Sequence, residues 1–140
     1  MIISGTVVPG GVVTTELPEI VEFERHGGVG VWEVMDASEF FLDDEARETG
    51  ESHYERVAGG VDIHATVVAV HNAEGLGQSM SEFIEHVGDK WSKLADAADT
   101  DKLAYVGEGI AGSMVSTKID ADAEIKSFNV TADAIEWCQE

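Results

Sequence analysis

Apolar and polar positions along the chain change period several times, and each change marks an element. Residues 6–8 and 12–15 are short β-rich pieces around the turn Pro9-Gly10-Gly11. Ile20 to Arg25 alternates in part, His26-Gly27-Gly28 interrupts, and Val29, Val31, Trp32 and Val34 resume the run to Met35. Two β-rich runs joined by a short glycine loop predict a hairpin. Asp43-Asp44 then begins a polar helix reaching about Val57, because an aspartate at a helix start satisfies orphan N–H groups. Gly50 is expected to weaken that helix, and Gly59-Gly60 to end it.

From Val61 to Val70 the pattern alternates and then turns wholly apolar, as in a strand covered on both faces. After a turn over 71–77, Met80, Phe83, Ile84, Val87, Trp91, Leu94, Ala95 and Ala98 recur at three- and four-residue steps and predict a helix over 78–98 with one apolar face. Leu103 to Val106 is a short buried strand, and Gly107-Glu108-Gly109 leads into a helix over 110–119. Glu124 to Phe128 is the last strand. Thr131 is the expected N-cap of a closing helix with Ala134, Ile135 and Trp137 on its apolar side, and Cys138 lies near an end expected to fray. Repeated β–α alternation predicts an α/β fold: a mixed, mostly parallel sheet with an N-terminal β-hairpin, about four helices and right-handed crossovers. Residues 1–140 read as a single domain, with 1–19 a β-rich N-terminal extension.

Charge changes the picture more than length does. Asp and Glu number 28 against 8 Lys and Arg, a formal charge of -20. A chain of this size exposes about 7,000 Å², which spaces carboxylates about 16 Å apart. The Debye length is about 10 Å at 0.1 M salt and about 3 Å at 1 M, so self-repulsion is felt in dilute buffer and vanishes in concentrated salt. Scarce lysine and 15 glycines agree with a halophilic cytoplasmic protein. The alternative is an acidic protein with cationic partners. With no cluster of Lys and Arg, direct nucleic-acid binding is not expected. There is no membrane span, and the single Cys138 suits a reducing compartment.

Several stretches of the second half carry a family likeness. Val61–Val70, Asn72-Ala-Glu-Gly-Leu-Gly77, the Trp91-bearing helix, Leu103-Ala-Tyr-Val-Gly-Glu108, Glu124-Ile-Lys-Ser-Phe128 and Ala134-Ile-Glu-Trp137 resemble SpoIIAA-like proteins of the STAS superfamily, of a haloarchaeal type, over residues 20–140. The resemblance implies a regulatory domain that docks to a protein partner. In anti-sigma-factor antagonists of this kind a serine at the start of the helix is phosphorylated; Glu74 occupies that position here, and the strand-to-turn distance is shorter. Both departures count against a phospho-switch. A fixed carboxylate mimicking the phosphorylated state stands beside the simpler reading, an acid near a helix N-terminus. Related folds have also been linked to carriers of apolar ligands.

The chemistry-bearing residues are sparse. Of His26, His53, His64, His71 and His86, none forms an i, i+4 zinc pair, so no metal or other cofactor is expected. His71 ends a central strand, where open α/β sheets place ligands. With Asn72, Glu74, Gly75 and Gly77 it forms the candidate site for a ligand or partner. The glycine turns match no dinucleotide or P-loop pattern, and no residue is assigned a catalytic role: Ser79, Ser81 and Ser113 lack a nucleophile elbow. The sequence thus supports a non-catalytic protein-binding domain, with an apolar small-molecule or lipid carrier as the alternative and a small enzyme at the strand ends as a third reading. It leaves open whether the hairpin edge pairs with a second copy in a homodimer. Far-ultraviolet circular dichroism against KCl concentration should show structure lost in dilute buffer and regained toward molar salt; full stability in dilute buffer would remove the halophilic reading.

Overall fold

A computed structural model describes residues 17–60, 62–107 and 117–140. The pieces expected at 6–8 and 12–15, Ser113 and most of the helix expected over 110–119 lie outside the described residues, although Thr117 and Lys118 are helical. Strands β1 (Val21–His26) and β2 (Val29–Val34) form the expected hairpin, paired Val21 to Val34 and His26 to Val29. Gly27 turns it at φ +62°, a left-handed conformation that suits a residue without Cβ. β2 then runs parallel to β3 (Ala65–Val70), β3 to β4 (Lys102–Val106), and β4 to β5 (Glu124–Phe128). The five strands therefore lie in chain order, antiparallel at one edge and parallel elsewhere.

Helix α1 (Ala37–Leu42) was not legible in the sequence. Asp36 creates it: one carboxylate oxygen accepts from the N–H groups of Ser38 and Glu39 and from the Ser38 hydroxyl. Those bonds, from Glu39 foremost, hold the Asp36 carboxyl below its ordinary range. Asp43 repeats the device for α2 (Asp44–Ala58), accepting from Glu45 and Ala46. As expected, α2 runs on past Gly50 and ends at Gly59. A Cβ there would sit 2.9 Å from the Phe40 ring, so glycine lets α2 and α1 approach.

The expected 78–98 helix has more parts than its spacing suggested. A 3₁₀ turn (Ala73–Ser79) leads into α3 (Met80–His86), a π-helical turn (Val87–Trp91) and α4 (Ser92–Ala98). Phe83, Val87 and Trp91 follow at two successive four-residue steps, and in an α-helix each step drifts about 40° around the axis. The wider π turn removes that drift, and all three side chains are buried. The Ser92 hydroxyl donates to the Gly88 carbonyl at 2.7 Å and accepts from the Asp120 N–H at 2.8 Å, tying the turn to the following segment.

The two faces of the sheet are covered differently. Trp32, Val34, Val68, Val70, Leu103 and Tyr105 face α1–α4 in the larger core. Val29, Val31, Ala65, Val67, Ala69, Ala104 and Val106 face α5 (Thr131–Gln139), which contributes Ala134 and Cys138. Here two expectations are corrected. Thr131 is the first helical residue, Val130 takes the cap position without a side-chain bond, and Cys138 is buried rather than frayed. Lys102 Nζ donates to the Trp137 carbonyl at 2.9 Å and lies over the Trp137 ring, which secures the helix end. Burial pushes the Cys138 thiol up to about 11, so it behaves as packing. Among the described residues, no helix is long and apolar enough to cross a membrane.

The alanine floor beneath α5 makes a specific prediction. Ala104→Leu should cost about 1–3 kcal/mol by overpacking against α5, measured by urea unfolding at fixed KCl. A change below a few tenths would show that α5 is not seated on that floor.

Candidate ligand pocket

The site expected at the strand ends is assembled in part. His71 follows β3; its N–H donates to the Val34 carbonyl and its carbonyl accepts from the Ala37 N–H, both at 2.9 Å. Its side chain is spent on a half-buried partner, with Nε2 and Glu33 Oε2 2.8 Å apart. Asn72 is exposed in a left-handed conformation (φ 58°), and Glu74 and Gly75 lie in the 3₁₀ turn, Gly75 beside Ser38. Gly77, at φ 54° and ψ -120°, adopts a backbone that only glycine holds without strain. Leu76, 4% exposed, pins the turn into the core. The five residues thus share one turn.

A second site lies between the sheet and the helices; none of its residues was among the candidate site residues, although Trp91 and Leu94 lie on the apolar stripe expected over 78–98. Val21, Trp32, Val34, Val68 and Leu103 supply its sheet wall; Phe40, Gly50, Glu51, Tyr54, Trp91 and Leu94 supply its helix wall. It measures about 40 Å³ in the space that the centre of a water-sized sphere can reach. On that measure a water needs about 10–15 Å³, so the cavity has room for about three waters or one small organic group.

Its polar groups are few and tied. Trp32 Nε1 donates to His53 Nδ1 at 3.0 Å, so that nitrogen carries no proton. The Tyr54 hydroxyl meets Thr66 Oγ1 at 3.0 Å, and burial pushes its pKa up to about 12 despite that bond. Glu51 is the exception to an apolar lining. It is only 7% exposed, and its Oε2 accepts from Trp91 Nε1 at 2.8 Å and lies 2.6 Å from His86 Nε2. One carboxylate thereby joins α2, α3 and the π turn. Among the described residues, its hydrogen bonds fall on Oε2 alone, and its ion-pair partner is His86.

The aromatic rings brace these groups from behind. Trp32 and Tyr54 lie with centroids 4.8 Å apart, and Phe23 packs on Trp32 at the same distance. On the other side Phe83 meets Trp91 edge-on at 5.8 Å. A signal for Glu51 did exist in the sequence. Ala46, Gly50, Tyr54 and Ala58 recur every four residues along α2, and all four are buried; Glu51 falls on the edge of that stripe. In a chain with 28 acidic residues, one more glutamate in a polar helix attracts no notice.

No family model and no curated protein matches the chain. A solved structure of DspI from Pseudomonas aeruginosa aligns at 12% identity with a TM-score of 0.44, covering 88% of this chain and 74% of that one. Superposition at that level carries no argument about fold or function. Among the described residues, no group of three or more His, Cys, Asp or Glu is placed to hold a metal.

The Glu51 network predicts an ordered pair of stability losses. Glu51→Ala leaves the buried Trp91 N–H without its acceptor and should cost about 1–3 kcal/mol. Glu51→Gln keeps an acceptor oxygen and should cost clearly less. Urea unfolding of both variants at fixed KCl tests the order; equal losses would mean that the carboxylate does not hold the three elements together.

Proposed function

We propose that the protein is a non-catalytic, STAS-type binding domain of a concentrated-salt cytoplasm, and that its ligand is a small, largely apolar molecule or the apolar end of a larger one. The observation that carries this reading is the cavity between the sheet and the helical run. Densely packed interiors leave few voids larger than a water, and this one is walled by Trp32, Phe40, Tyr54, Trp91 and aliphatic side chains around a single carboxylate. Small-molecule sites have that composition: mostly apolar and aromatic lining with one or a few placed polar groups. The π turn that sets Trp91 in the wall agrees, since such turns occur frequently at functional sites.

Docking to a protein partner, as the STAS resemblance implies, is the second reading. It is favoured by the exposure of Asn72, Gly75, Gly77 and Gln78 on one turn at the strand ends, anchored by Leu76. The two readings are compatible, because α1 touches both places: its N-terminus packs on the turn and Phe40 lines the cavity. Binding in the cavity can be tested with toluene as a probe and methyl-resolved NMR in KCl. Toluene should shift the methyl signals of Val68, Leu94 and Leu103, and Leu103→Phe should abolish the shifts. Unmoved methyls in the wild-type chain would overturn the pocket reading.

A further inference from the structure

Resting on the pocket reading, we infer that the ligand presents an organic ammonium group to Glu51. The carboxylate lines the cavity while 7% exposed, and the bonds from Trp91 and His86 both converge on Oε2. Oε1 has no hydrogen bond among the described residues, and its side chain lines the cavity. Indole is a neutral donor, so of the two partners only His86 can bring a counter-charge, and only when its ring is protonated. Arg25 pairs with Asp62, Arg47 with Asp44 and Lys93 with Asp89, so these cations are engaged away from Glu51.

A neutral ligand would make the position of Glu51 worse. Filling the cavity would cover a carboxylate oxygen without pairing it, and a buried charge short of partners is disfavoured. A ligand with an N⁺–H or N⁺–CH₃ group removes that difficulty. The walls suit such a group independently of Glu51. The polar ends of three rings are already hydrogen-bonded, Trp32 on His53, Tyr54 on Thr66 and Trp91 on Oε2. What these rings and Phe40 add to the lining is therefore carbon and π surface, which attracts a desolvated cation. Size agrees as well: three waters occupy about 90 Å³ of liquid, the scale of a head group of about five heavy atoms, as in a methylated ammonium.

Choline and its neutral isostere 3,3-dimethylbutan-1-ol differ in this charge alone. Titrations of the full chain at one fixed KCl concentration, followed by its tryptophan fluorescence, to which Trp32 and Trp91 in the cavity wall contribute, should show choline binding at least tenfold more tightly. Glu51→Gln, checked for folding by circular dichroism, should erase that preference and leave the neutral alcohol unaffected or improved. Phe40→Leu, which keeps the carboxylate, should weaken choline several-fold more than the alcohol. Equal or tighter binding of the alcohol to the wild type, or a preference for choline that survives Glu51→Gln, would overturn the ammonium assignment while leaving the pocket in place. If neither probe binds although toluene enters, the ammonium assignment fails; if toluene is excluded too, the pocket reading fails with it.

Discussion

The order of the parallel strands decides where the helices of this fold can sit. β2, β3, β4 and β5 are neighbours in chain order, so each crossover steps the same way across the sheet. With a common right hand, connecting helices that step in one direction all land on one face. That face carries α1–α4 and the aromatic core; the other is left to the nine-residue α5. A helix that short can cover four strands only if it lies close, and Ala65, Ala69 and Ala104 provide the low floor for it. The thick side has the converse problem. Four helices, a π turn and a 3₁₀ turn meet large rings from the sheet, and the space between α2, α4 and the sheet is not wholly filled.

One carboxylate sits at that seam. Acidic side chains at the surface are screened by salt, so each interacts only weakly with the next in strong salt. Glu51 obeys different physics, since burial removes it from the screening that quiets the rest. Its two donors come from different turns of the helical run, and the π turn is what brings Trp91 to the same oxygen that His86 reaches. One side chain thus ties the helical elements together and lines the cavity.

The strand-end turn and the cavity share a wall without sharing chemistry. His71 is held by Glu33 and by backbone bonds to β2 and α1, so its ring is a fixed element of the surface. The glycines of the turn serve its shape, with Gly77 held at positive φ. α1 lies between these two places, capped by Asp36 beside the turn and packing Phe40 beside Gly50.

The class of fold was readable from the order of residues alone, because period and punctuation are local properties. The hairpin around Gly27, the all-buried β3, the stripe from Phe83 to Ala98 and the strand Glu124–Phe128 were legible, since alternation or three- and four-residue spacing reports which side is apolar. The His71–Gly77 turn was exposed in the same way. Helix α1 escaped because six residues with one aspartate cap carry too little periodicity to register. The π turn escaped because a spacing of four residues fits either helix. The cavity and its carboxylate could only be settled in three dimensions. Glu51, His86 and Trp91 lie on separate helical turns, up to 40 residues apart, and a glutamate's burial depends on what the rest of the chain packs around it.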